Sequence, residues 1–378
     1  MKRYKMVELG TLIHQAKTVR CGDGDYPVLS MTMHDGLVFQ DDKFKKAIAS
    51  KDKSDYKVVK RNQLVISFPI DEGVLATQRI VDAGIVSPAY GIWDINQERV
   101  LPEFLEYALR CDRALNYYKA KLRGSTARRR SLPTPTLLAF TIPLPGISEQ
   151  QHILEVIRKV KSLISCRTEE ITELDNLIKA RFVEMFGDPK YNKSNLVKIG
   201  EIGALTSGGT PPRVKPEYFE GDIRWYSAGE LNSLYLPDSI EHISETALQE
   251  SSAKLFTKGT LMIGMYDTAA FKMGILAENA SSNQACANLN PKQGYNIVWL
   301  YYLFDIMKPI FLQERQGVRQ KNLSLSKIKE FEVPVAPFEL QEQFAAFVEQ
   351  VDKSKVVVQK ALDEAQTLFD SLMQEYFG

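Results

Sequence analysis

Apolar residues spaced alternately by four and three run through two stretches of this chain. In the first they fall at Ile153, Ile157, Val160, Ile164, Ile171, Leu174, Ile178 and Met185, and only Arg167 and Arg181 break the row. In the second they fall at Phe344, Val348, Val351, Val358, Leu362, Ala365, Phe369, Leu372 and Tyr376, and only Lys355 breaks it. A 3.5-residue period held for about five heptads is the pattern of helices packed along a shared seam. Each row predicts one long helix, about 57 Å for roughly 38 residues at 1.5 Å per residue. The polar breaks fall at different places in the two rows, so each can face an apolar partner or an edge of the seam. That favours antiparallel pairing of the two helices; two unrelated helices, each covering its own domain, is the other reading of the same pattern. A further apolar row, Val156, Leu163 and Leu177 with Phe347 and Leu368, is wider than a two-helix seam needs. It suits either packing on the chain's own domains or the docking of another helix.

The two rows belong to a repeat. Shifted by 191, residues 142–187 fall on 333–378 without a gap, with Pro143 on Pro334, Gln150 on Gln341, Val160 on Val351 and Phe186 on Phe377. The prolines ahead of each row end a preceding strand. Upstream, VELGTLI at 7–13 answers VKIGEIG at 197–203, and LPEFLEYALRCDRALNYY answers NIVWLYYLFDIMKPIFLQ as a helix-like segment. Between these landmarks VVKRNQLVISFPI, GIVSPAYGIWDI, AKLFTKGTLMIGMYD and MGILAEN read as strands, separated by the turn signals GDGD, SGGTPP and FEGD. The expected fold is therefore α+β, a mixed α/β chain of two globular domains. Each is followed by a long helix, and the two helices form an antiparallel coiled coil. The expected boundaries are 1–145 and 191–336 for the domains, 146–190 and 337–378 for the helices.

A length of 378 residues agrees with more than one core, and 44% hydrophobic with 25% charged residues is ordinary for a globular protein. No apolar run approaches the roughly 18 residues of a membrane span, and the N-terminus lacks the apolar core of a signal peptide, so a cytoplasmic protein without membrane contact is expected. Cys21, Cys111, Cys166 and Cys286 are scattered, as are His14, His34, His152 and His242. That spacing predicts reduced thiols, most of them buried, and no zinc site.

The net charge of +1 hides local clusters. Residues 110–130 carry Arg110, Arg113, Lys119, Lys121, Arg123, Arg128, Arg129 and Arg130 against Asp112. Residues 308–329 carry Lys308, Arg315, Arg319, Lys321, Lys327 and Lys329 against Glu314. Two basic segments at matching places in a repeat imply two matching contacts with a polyanion. Arg128, Arg129 and Arg130 are too densely charged for a core, and beside them Ser125 and Thr126 can offer amides and hydroxyls to a phosphate. Arg315, Arg319, Gln320 and Lys321 are the parallel set, and Arg and Gln suit bidentate reading of guanine and adenine. Arg213, Lys215, Arg224 and Tyr226 are further candidates, as is Lys272, although Trp225 and Tyr226 also read as strand residues of a core. Lys119 and Lys121 suit DNA contact or the wet face of a helix.

Catalytic signatures are not apparent. The chain has no phosphate loop of the GxxxxGK[ST] type and no glycine-rich AdoMet loop with a (D/N)PP(Y/F) segment. SGGTPP reads as a turn or as a backbone contact to phosphate. Asp41-Asp42 and Asp71-Glu72 read as solvated loop charges.

The chain resembles the specificity subunit of a Type I restriction-modification enzyme. The resemblance is carried by SGGTPPRVKPEYFEGDIRWYSAGEL at 207–231, KGTLMIGMYDTAAFKMGILAENASSNQACANL at 258–289, GIVSPAY at 84–90, GSTARRRSL at 124–132 and the duplicated boundaries IPLPGISEQQ and VPVAPFELQEQ. Leu340 stands where the first copy has Glu149, and GVRQKNLSL lacks the Ser-Thr of the first half. The resemblance implies two target recognition domains, each reading one half of a split double-stranded DNA sequence, with the helix pair as spacer. It implies no catalysis and no cofactor in this chain. AdoMet would sit in two docked modification subunits, and ATP and Mg in two restriction subunits where the system has them. The alternative is a free-standing two-domain DNA-binding regulator without catalytic partners.

Overall fold

The computed structural model describes residues 4–33, 35–43, 53–122, 132–315 and 322–378. The chain divides into two compact units, the first Met1–Thr168 with Lys360–Gly378, the second Glu169–Gln359.

In the first unit a four-stranded sheet runs in the order Ile13–Gln15, Gly91–Ile95, Leu64–Ile66, Leu75–Thr77, antiparallel at every junction. Helices Pro102–Arg110 and Asp112–Lys121 supply Phe104, Leu105, Ala108, Leu109 and Tyr118 to the core that Leu64 and Leu75 join from the sheet. The single helix-like segment of the sequence is thus two helices, separated at Cys111, whose backbone is extended. Strand Met6–Glu8 pairs antiparallel with Thr141–Pro143, and the chain then enters the first long helix, Ile147–Phe186.

The second unit repeats the plan. Its sheet runs Gly203–Ser207, Cys286–Pro291, Leu261–Gly264, Met273–Ile275, Asn232–Tyr235, with only the last junction parallel. Helix Ile297–Phe311 lies where the first unit has its helix pair in sequence order, strand Leu196–Lys198 pairs with Glu332–Pro334, and the second long helix, Phe338–Phe377, follows.

Both long helices contribute to both cores. In the first unit Ile153, Leu154 and Ile157 share a core with Phe377, and Phe369, Met373 and Tyr376 pack against it. In the second Ile178 and Phe182 share a core with Phe344, Val348 and Val351, and Phe182 meets Phe344 edge-on at 5.2 Å. The start of one helix meets the end of the other in each unit, so the two run antiparallel. Among the expected seam residues, Ile153, Ile157, Val160, Ile178, Phe344, Val348, Val351 and Val358 are buried. Ile164, Ile171, Leu174, Leu362, Phe369 and Leu372 are half-buried. Of the polar breaks, Lys355 bonds Asp175 at 2.7 Å, and Arg181 lies 5.8 Å over the Phe347 ring.

The repeated glutamines anchor the helix starts. Both are fully buried. Gln150 accepts from the Leu101 amide at 2.8 Å and donates to the carbonyls of Arg99 and Pro145 at 2.9 Å each. Gln341 accepts from the Asn296 amide at 2.9 Å and donates to the Ala336 carbonyl at 2.8 Å. An amide side chain carries both a donor and an acceptor, so one residue satisfies backbone groups on either side of it.

Candidate nucleic-acid interface

The two densest sets of expected DNA contacts, Arg123 to Arg130 (with Ser125, Thr126, Arg128 and Arg129) and Arg319, Gln320 and Lys321, lie outside the described residues. Their flanks are placed. Lys119 and Lys121 are exposed in the last turn of helix Asp112–Lys121, immediately before the first set. Two neighbours counted in the same basic segment are structural instead. Arg110 reaches the Met33 carbonyl at 2.5 Å, and Arg113 donates to the carbonyls of Phe377 at 3.1 Å and Thr141 at 2.9 Å while stacking 4.8 Å from the Phe140 ring. Arg315 is half-buried and donates to the Leu312 carbonyl at 3.0 Å.

Three of the remaining cationic candidates of the second unit, Arg213, Lys215 and Arg224, are paired. Arg213 forms a two-pronged ion pair with Glu241, its second prong 2.7 Å long, and lies 4.2 Å over Phe219. The guanidinium holds the Glu241 carboxyl below its usual range through that hydrogen bond. Lys215 is shared by the Tyr218 hydroxyl at 2.6 Å and Glu250 at 3.3 Å. Arg224 bridges Asp238 at 2.8 Å and Glu278 at 3.2 Å. Tyr226 has a core place rather than a surface one: it is 2% exposed, and its hydroxyl donates to the Pro237 carbonyl at 2.6 Å. Lys272 is half-buried at the foot of the loop described next.

That loop joins strands Leu261–Gly264 and Met273–Ile275. It carries the exposed Tyr266 and the short helical turn Asp267–Ala269, and it takes left-handed backbone at Asp267 (φ 46°) and Phe271 (φ 53°). Such a φ is costly for a bulky residue, of order 1–3 kcal/mol, and persists only where the surroundings hold it. Here they do, because Phe271 is fully buried 4.7 Å from the Phe311 ring. The loop borders an open cleft of about 430 Å³ that Gln284, Glu314, Asn322 and Lys327 also line. Asn322 and Glu314 are the described residues on either side of the second basic set, Arg315 apart. Sequence reading missed Tyr266, Gln284 and Asn322; proximity to that basic set was the one signal that pointed to Asn322.

Other expectations resolve differently. The glycines of SGGTPP serve close packing: a Cβ on Gly208 would sit 2.2 Å from the Ser282 carbonyl oxygen, and one on Gly209 2.0 Å from that of Ser252. Their amides donate to the Cys286 and Ser282 carbonyls at 3.1 and 2.9 Å, which leaves neither for a phosphate. Asp71 is buried rather than solvated, with Oδ1 unbonded among the described residues. Cys21, Cys111 and Cys286 are buried and Cys166 is exposed, and burial pushes the Cys286 thiol up to about 12. Among the described residues no three His, Cys, Asp or Glu are placed to hold a metal, and no helix is long and apolar enough to cross a membrane.

Residues 191–365 match the family described as Type I restriction modification DNA specificity domain. The second half of the chain therefore carries a DNA specificity domain. The chain is 30% identical over 185 residues to the Type I restriction enzyme MjaIX specificity subunit of Methanocaldococcus jannaschii, a match covering 47% of this chain and 43% of that relative. It is 23% identical over 256 residues to the EcoR124I/EcoR124II specificity subunit of Escherichia coli, covering 63% and 61%. The matches thus span about half the length of these curated relatives. Over nearly its whole length the fold is that of the Type I restriction-modification system S subunit from M. genitalium, with a TM-score of 0.56, 15% identity, and coverage of 99% of this chain and 96% of that one. The chain is thus similar to specificity subunits of Type I restriction-modification systems, in sequence over part of its length and in fold over nearly all of it.

Proposed function

We propose that this chain is the sequence-reading subunit of a Type I restriction-modification complex, in which each unit reads one half of a split double-stranded DNA target. The observation that carries the reading is the repeat itself: two sheet-and-helix units of one plan, each feeding a 40-residue helix, with a DNA specificity domain matched at 191–365. Two similar surfaces on one chain suit two half-sites, and basic segments at matching places suit the phosphates that position each unit. The antiparallel helices set the gap between half-sites. Leu163, Leu177 and Leu368 are exposed along them and suit the docking of two modification subunits, which would carry AdoMet and the methyl transfer. Restriction subunits, where the system has them, would carry ATP and Mg. This chain performs no catalysis of its own and works in the cytoplasm.

The test is to co-express the chain with its modification subunit and map adenine methylation across a host genome. A split motif with a fixed gap supports the reading. A stable complex that leaves no such motif overturns it, and tight DNA binding without any partner favours the free-standing regulator. A heptad added to both helices lengthens each by about 10 Å, close to three base pairs, so the gap is expected to change while both half-sites stay the same.

A further inference from the structure

The cleft beside Tyr266 is lined by the polar ends of Tyr266, Gln284 and Asn322 together with serines, an ion pair and apolar side chains. Asn322 presents a fixed donor. Its Oδ1 accepts from the Asp267 backbone amide at 3.1 Å, and a backbone N–H can only donate, so the side-chain oxygen is committed and the NH2 is what remains to the cleft. Gln284 bonds the Thr210 hydroxyl with one end of its amide and leaves the other to the cleft; that end is the NH2 when Oε1 takes the Thr210 hydrogen, and a hydroxyl, which also accepts, fixes this less firmly than a backbone amide does. The Tyr266 hydroxyl has no partner among the described residues, and the residue is 41% exposed. The one carboxylate on the wall, Glu314, is neutralised by Lys327 at 2.7 Å.

These groups are held before any ligand arrives. Phe271 in the core pins one end of the loop, and the Leu323 amide donates to the Met265 carbonyl at 2.8 Å to tie the Asn322 segment to the other. Pre-organised donors lose little freedom on binding, which is what a specificity contact requires. The cleft also adjoins, in the chain, the basic set expected to meet phosphate, and positioning contacts beside base contacts are the usual division of labour on DNA.

Of the four bases, guanine alone presents two acceptors, N7 and O6, on its major-groove edge; adenine pairs an acceptor with a donor, thymine has one acceptor beside a methyl, and cytosine presents a donor. We infer that Tyr266, Gln284 and Asn322 read a guanine edge in the half-site of the second unit. This rests on the DNA-reading function proposed above and names its base.

The test uses the complex with the modification subunit and duplexes bearing the target from the methylation map. Each guanine is replaced in turn by an analogue whose N7 is carbon. One replacement, in one half-site only, is expected to weaken binding roughly 10-fold or more. Asn322→Asp keeps the oxygen that Asp267 needs and removes the donor, and Tyr266→Phe removes a hydroxyl alone. Both variants should lose affinity for the natural target and respond less to that replacement, with an unchanged melting temperature. Indifference of the natural chain at every guanine, a half-site without guanine, or variants that stay as sensitive as the parent overturn the inference and leave split-target reading intact. A uniform loss of affinity with the sensitivity retained assigns these groups to phosphate and overturns it too. A complex that methylates no split motif brings down the broader reading and this one with it.

Discussion

The two units place a loop at the same point of their sheets and build it differently. In the first, residues 67–74 join strands Leu64–Ile66 and Leu75–Thr77, expose Phe68 and bury Asp71. In the second, residues 265–272 join Leu261–Gly264 and Met273–Ile275, expose Tyr266 and bury Phe271. The helix starts behave in the opposite way, because Gln150 and Gln341 are both fully buried and each bonds the amide that opens or precedes the helix of its own unit. The repeat holds where each long helix is fastened to its own unit, and it diverges at the outward loop. Packing constrains both partners of a contact at once, whereas an outward loop answers only to what it meets.

The largest effects are expected at the two aromatic anchors. Phe344 packs edge-on against Phe182, Phe186 and Tyr302, and Phe377 packs at 5.0 Å from Phe104. Phe344→Ala and Phe377→Ala are each expected to cost about 3–5 kcal/mol in urea unfolding. Trp93 reports on the first unit and Trp299 on the second, so retaining each tryptophan alone separates the two losses. Equal losses at both would mean that the two cores unfold as one.

Next come the glutamines. Gln150→Ala strands three backbone partners and Gln341→Ala two, so both destabilise, by about 2–3 kcal/mol, with the first the larger. Calorimetric melting that ranks them the other way breaks the account of the helix starts.

A smaller effect distinguishes the units by pH. Partial burial raises the Glu103 carboxyl, but the hydrogen bond from Arg158 and the charge of Arg79 outweigh it and leave the group below its usual 4.5. A lowered folded-state value means a contribution that is present above about pH 4.5 and fades as pH falls through the folded value. Arg158→Ala should therefore lower the stability of the first unit at neutral pH, and the gap to the parent should close in acid. A gap that widens in acid would reverse the assignment.

The smallest effect belongs to the seam. Lys355→Met removes a partly exposed ion pair with Asp175 and is expected to change stability by under about 1 kcal/mol.

Much of the architecture was legible before any fold was known. The two long helices, the strand before each and the duplicated plan follow from periodicity and breakers, which act between neighbours in the chain. The interface was legible only in outline. Eight basic residues fall in one segment of the sequence, yet two of them, Arg110 and Arg113, are spent on the carbonyls of Met33, Phe377 and Thr141. Arg213, Lys215 and Arg224 looked available, yet each has an acid 14 to 54 residues away.

By itself, then, the amino-acid order determined that this protein has two like halves and two helices with matching apolar seams, because a heptad is a property of adjacent residues. Only the tertiary structure decided which charges are free and which groups meet. Tyr266, Gln284 and Asn322 come from three separate segments, and their availability depends on which of their atoms other groups of the fold have already claimed. Local periodicity survives translation along the chain, while a site depends on distances that folding alone creates.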